Sequence, residues 1–147
     1  MSNATLEKFG YTTGLIYESE HWAVLLRPQQ VTLGALILGA KSDALSYGEL
    51  PPAAFSEMHG VIHNLEACLA RAFQYKKMNY LMLMMVDPHV HYHVLPRFDE
   101  AQSFAGVRFE DPGWPGPPRL DAVNAMNDDQ FAKLLAHLRD VWQECSC

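Results

Sequence analysis

The chain has 147 residues, 49% of them apolar and 11% aromatic, which suits one domain with its own core and excludes a disordered chain. Lys and Arg number 11 against 17 Asp and Glu, a net charge of −6 with neutral histidines, and that sign argues against a nucleic-acid partner. The longest uninterrupted apolar run, residues 80–86, falls far short of the roughly 20 residues a membrane span needs, so no membrane partner is expected.

The opening residues do not read as a secretory leader. Cys68, Cys145 and Cys147 are too few, and odd in number, for a disulfide framework. A reducing, cytoplasmic setting is the expectation. Residues 12–17 (TTGLIY), 21–27 (HWAVLLR) and 33–38 (LGALIL) predict three short strands. Glu18-Ser19-Glu20 and Pro28-Gln29-Gln30 supply turns between them, at spacings that suit antiparallel hairpins. A polar connection over 41–49 leads to Pro51-Pro52, which fit a first helical turn because a missing N–H costs nothing there. Phe55, Met58, Ile62, Leu65, Leu69 and Ala72 recur at steps of three and four, predicting one buried stripe on a helix that runs to about Gln74.

Residues 79–86 (NYLMLMMV) predict a central strand buried on both faces, with Met82, Met84 and Met85 as adaptable core packing. Residues 89–96 (HVHYHVLP) alternate strictly and predict the next strand. The stretch 98–126 is rich in Pro and Gly around Trp114 and predicts a long connection without regular structure. Asn127 is placed to cap a final helix over 127–144, with Asp128 and Asp129 at its positive end. Phe131, Leu134, Leu135, Leu138, Val141 and Trp142 make that helix's buried face. The order β-β-β-α-β-β-α over a single domain, 1–147, gives an α+β fold: an antiparallel sheet of about five strands with two principal helices.

The chemistry concentrates in His89-Val90-His91-Tyr92-His93-Val94-Leu95-Pro96-Arg97. On a strand, His89, His91 and His93 point to one side, with neighbouring backbones roughly 6.5–7 Å apart, while Val90, Tyr92 and Val94 face apolar packing. Each imidazole buried for packing alone would cost about 1–3 kcal/mol if left unpaired, which favours function over structure. Two functions compete at this point. Histidine can act as a nucleophile toward phosphorus, with neutral and cationic forms both accessible near neutral pH. Alternatively the row ligates a metal such as Zn²⁺, although three side chains in a line converge poorly on a tetrahedral ion.

HVHYHVL matches the His-x-His-x-His-x-x pattern, with apolar x, of the histidine triad superfamily, and residues 12–97 resemble that family's strands and first helix. The KMN at 77–79 and the WPGP at 114–117 resemble a bacterial subgroup with a short loop before the triad. The resemblance implies a nucleotidyl hydrolase or transferase that acts on a dinucleoside polyphosphate or nucleoside phosphoramidate and needs no cofactor. It makes His91 the nucleophile, His93 the contact to phosphoryl oxygens or leaving group, and His89 the residue that orients His91. It also implies a homodimer. Two other readings remain: a nucleotide-binding or regulatory protein without turnover, and the His-ligated metalloprotein. The chain departs from the family pattern in having Ser42 or Asp43 where a fourth histidine is common, no Gly-rich loop before the triad, and Arg27-Pro28 where an acidic ribose-binding residue is common.

Three further residues are candidates for substrate binding. Arg97 offers a fork of donors to phosphate, or a surface ion pair with Asp99 or Glu100. Asn79 either reaches a ligand or holds the turn before its strand. Trp114 either covers a base or belongs to a rigid strap. His59 and His63, four apart, and Cys145-Ser146-Cys147 could hold a metal, but read better as a solvated helix edge and a frayed terminus.

Overall fold

Asn3 begins the first element of the structure, a computed structural model that describes residues 2–145. Its side chain accepts from the Leu6 amide at 2.9 Å, capping a short helix, α1 (Ala4–Lys8), that the sequence reading passed over. The same side chain donates to the carbonyls of Ala40 and Ser42, at 2.9 and 2.8 Å, and so ties α1 to the end of the third strand. Cys147 and Ser146 of the terminal pair considered above lie outside the described residues.

Strand β2 (Trp22–Leu26) lies inside the predicted run, whereas β1 (Leu15–Glu18) and β3 (Leu36–Ala40) start later than predicted and run past the predicted ends. Helix α2 spans Pro52–Ala72, and β4 (Lys77–Leu81) and β5 (His91–Arg97) follow. The five strands make one antiparallel sheet in the order β1-β2-β3-β5-β4. The expected α+β architecture with a five-stranded sheet is therefore present.

Strands β2 and β3 are buried along their whole length, because each face of the sheet is covered there. On one face α2 and the last helix, α3 (Asp128–Cys145), cover Trp22, Val24, Leu26, Leu36, Leu38 and Val94. Fully burying a side chain of this kind stabilises by about 1.5–3 kcal/mol. The Trp22 indole donates to the Ala54 carbonyl at 2.8 Å and seats the start of α2. Because Ala54 faces inward, Phe55 does not: it is 37% exposed, with its ring 5.3 Å from that of Tyr47. The buried row is Ala54, Val61, Leu65, Cys68 and Leu69, rotated from the expected stripe at its start.

Other expectations need correction. The strand expected to be central is the edge strand β4, and it ends at Leu81. Beyond it the chain leaves the sheet: Met84 has φ of 50°, and Met85 and Val86 are 84% exposed, so this apolar run is not a two-sided core. The long connection contains a hairpin, β6 (Gln102–Phe104) and β7 (Val107–Phe109), turning through Ala105-Gly106 with φ of 51° and 79°. Alanine seldom adopts that region, which hid the turn from the sequence reading. The cap on α3 is as expected. The Asn127 side chain accepts from the Gln130 amide at 2.8 Å, and the Gln130 side chain accepts from the Asn127 amide at 2.9 Å. Among the described residues no helix is long and apolar enough to cross a membrane.

Candidate active site

The second face of the sheet carries Ala23, Leu25 and Ile37 under Leu6 and Phe9, and then His91 and His93 on β5. Register places Gly39 opposite His91 and Ile37 opposite His93. A Cβ on Gly39 would lie 2.4 Å from Leu6 Cδ2, so a glycine there allows α1 to lie against the sheet beside His91. Phe9, just past α1, then approaches both imidazoles, with centroids 5.8 and 5.9 Å away. The two imidazoles are 5.1 Å apart and nearly perpendicular, at 75°.

His89 departs from the expected row. Strand pairing starts only at His91, and residues 89 and 90 form a bend before it. The His89 ring instead bonds Thr5 Oγ1 at 2.9 Å, while its backbone carbonyl accepts from His91 Nδ1 at 2.7 Å. The link from His89 to His91 is thus made by the main chain.

These partners fix complementary tautomers. A carbonyl can only accept, so His91 carries its proton on Nδ1, and Nε2 of the neutral ring holds the lone pair. His93 faces a guanidinium, which can only donate: Arg27 Nε makes a long contact of 3.5 Å to His93 Nδ1. Neutral His93 therefore carries its proton on Nε2 and is a donor there. Burial, then the Arg27 charge and His91, push its pKa from 6.5 to about 4, against an opposing pull from Asp87.

A cavity of about 490 Å³ lies in front of the two rings. Its apolar walls are Phe9, Pro28, Leu120 and the segment 83–86, and its charged groups are Lys8, Arg27 and Asp87. His91 is 1% exposed and His93 7%, so a reactant meets them only by filling this cavity. The Lys8 ammonium bonds Asp87 at 2.7 Å across its rim. Such a site suits a ligand that pairs an anionic group with an apolar or aromatic one.

Compared by sequence, the chain matches no protein-family model and no curated protein. Compared by structure, it matches a histidine triad protein from Sinorhizobium meliloti 1021 at 20% identity and TM-score 0.73, over 95% of each chain. A histidine triad protein from Bradyrhizobium japonicum matches at 16% identity and TM-score 0.74, over 100% of this chain and 98% of that one. A third, a hypothetical histidine triad nucleotide-binding protein from Sulfolobus tokodaii, matches at 18% identity and TM-score 0.67, over 89% and 84% of the two chains. This chain has the histidine triad fold.

Within that fold, the residues expected to bind substrate lie together but apart from His91 and His93. Arg97, Asn79 and Trp114 border a second cavity, of about 460 Å³, toward the other end of β5. Arg97 is buried and four of its five donors are taken. Nε and Nη2 bond the Asp111 carboxylate at 2.7 and 3.0 Å, Nη1 bonds Asn79 Oδ1 at 2.7 Å, and Nη2 also bonds the Gly116 carbonyl at 3.0 Å. In place of a phosphate fork or a pair with Asp99 or Glu100, this guanidinium clamps the Pro/Gly-rich connection, including Trp114, onto the sheet.

The metal readings find little geometry around the triad, because the His89 ring is turned to Thr5. Among the described residues the cluster with metal-like spacing is Glu20, His21 and Glu57, whose His21 and Glu57 already bond each other at 3.0 Å. His59 and His63 are exposed on α2, as expected of a solvated edge. Burial pushes the Cys68 thiol up to about 12, so it is no nucleophile at neutral pH. The sequence reading missed Thr5, Lys8 and Phe9 as site residues, and met Arg27 only as a departure from a pattern. The one signal available was alternation: Ala23, Leu25 and Arg27 share a strand face, but nothing in the sequence aligned that face with His91.

Proposed function

We propose that this chain is a nucleotidyl hydrolase or transferase that works through a covalent nucleotidyl-histidine on His91. The observation that carries the reading is the pair of imidazoles lining one cavity with centroids 5.1 Å apart, where the His89 carbonyl holds the His91 proton on Nδ1 and so leaves the lone pair of the neutral ring on Nε2. In the first step His91 Nε2 forms a bond to the α-phosphorus of a nucleoside phosphate derivative, and the bond from phosphorus to the leaving group breaks. The His89 carbonyl, bonded to Nδ1–H, stabilises the positive charge that develops on the ring. His93 donates to a phosphoryl oxygen or to the leaving group. Water or another acceptor then forms its bond to phosphorus as the N–P bond breaks, and the acceptor's proton passes to solvent. The residues named here need no cofactor for these steps. The reading includes a homodimer, for which the free edge at β4 offers a pairing surface.

The test is to mix the protein with a labelled nucleoside phosphoramidate or dinucleoside polyphosphate, quench in base, and locate the label by mass. The expected result is one nucleotidyl group on His91, absent in His91→Ala. Tight nucleotide binding with neither label nor product would replace this reading with that of a non-catalytic nucleotide-binding protein.

A further inference from the structure

The chain buries two arginines, Arg27 and Arg97, at 9% and 3% exposure, and treats them differently. Arg97 is neutralised by the Asp111 carboxylate and three of its nitrogens are bonded. Arg27 has one firm hydrogen bond, Nη1 to the Gln29 carbonyl at 2.8 Å, besides the long contact to His93. Among the described residues no carboxylate bonds it. The cavity's own carboxylate, Asp87, is held by Lys8 at 2.7 Å. Burial lowers the Arg27 pKa against a smaller opposing pull from Asp87, the mark of a cation taken out of water without a full replacement for it. A guanidinium stays charged regardless, so its unbonded donors bordering the cavity are a standing demand for an anion.

We infer that Arg27 is a specificity-determining residue that selects substrates whose leaving group departs as an anion, a phosphate anhydride, over those whose leaving group departs as an amine. This rests on the nucleotidyl-transfer reading. When the bond from phosphorus to oxygen breaks in an anhydride, the electron pair stays on a phosphate oxygen and adds negative charge where Arg27 can meet it. When the bond from phosphorus to nitrogen breaks in a phosphoramidate, the nitrogen must gain a proton, and the resulting neutral amine or ammonium gains nothing from a neighbouring guanidinium. With both imidazoles neutral, Arg27 and Lys8 outnumber Asp87 around the cavity, which tilts the field the same way.

The test compares kcat/KM for a dinucleoside polyphosphate and a nucleoside phosphoramidate that share one nucleoside, in the natural chain, Arg27→Lys and Arg27→Gln. The natural chain should favour the anhydride. Arg27→Gln should reduce that preference about 10- to 100-fold, the equivalent of one lost hydrogen bond to a charged group, and Arg27→Lys should retain most of it. An equal loss on both substrates, or a natural preference for the phosphoramidate, overturns the inference. Calorimetric titration with a nucleoside diphosphate and the matching monophosphate gives a readout free of turnover. Extra affinity for the diphosphate should be present in the natural chain and absent in Arg27→Gln; a natural chain that binds the two equally also overturns it. A diphosphate preference that vanishes in Arg27→Gln, in a protein that turns over neither substrate, would keep the anion subsite and sink nucleotidyl transfer.

Discussion

Folding moves the His93 ring out of water and sets it against a guanidinium, so its pKa falls from 6.5 to about 4. The unfolded chain takes up a proton at this residue that the folded chain refuses. Stability from this source is complete above the unfolded pKa, drains away as pH falls, and is fully lost below the folded one. A unit of pKa corresponds to about 1.4 kcal/mol, so the total is about 3 kcal/mol, with about 2 kcal/mol of it lost between pH ~7 and pH ~5. Carboxylates whose pKa is lowered in the fold, Glu18 and Glu57 among them, also lose stability in acid, so the natural chain alone does not isolate the effect. Denaturant unfolding at a series of pH values should therefore be run on the natural chain and on His93→Asn, and the two curves subtracted. The difference should shrink by about 2 kcal/mol over that interval. Curves that fall in parallel would refute the account of His93 as a buried neutral donor.

Three further expectations concern the frame around the site. Gly39→Ala drives a methyl group to within 2.4 Å of Leu6 and should destabilise by about 1–3 kcal/mol in thermal unfolding, with much of the loss recovered in Gly39→Ala/Leu6→Ala; an unchanged Tm would show that α1 does not press on the sheet there. Asp111→Ala leaves a buried guanidinium without its charge partner and should cost about 3–5 kcal/mol by urea unfolding, whereas a loss below about 1 kcal/mol would mean that the clamp is loose. Asn127→Ala removes one half of a reciprocal cap and should cost about 1 kcal/mol, read from the same titration.

The parts legible in the sequence are those fixed by local periodicity and capping. The α3 face from Leu134 to Trp142 and the Asn127 cap required only helical spacing and a side chain of the right length. His91 and His93 share a strand face because alternation demands it. What failed depended on long-range partners. Residues 79–86 look like an inner strand by composition, and only the sheet order makes β4 an edge and sends Met85 into solvent. Arg97 follows a histidine row, which suggested phosphate, yet its partner Asp111 lies fourteen residues on, within the Pro/Gly-rich connection, and its charge is already met. Arg27 shows the reverse. Its place in the chain marks a strand's end, and its chemistry emerges only when register sets β2, β3 and β5 side by side.

Helix α1 contains only five residues, yet the seven residues from Asn3 to Phe9 supply a cap, a clamp on β3, the hydroxyl that holds His89, the side chain that fills the notch at Gly39, and an aromatic edge against both rings. Trimming the chain back to its sheet would strip one side from the nucleophile's enclosure while leaving the main core of β-sheet, α2 and α3 whole. A shortened variant of that kind would also uncover Ala23, Leu25 and Ile37, so lost chemistry and lost stability need separate measurement in any engineering of the amino terminus.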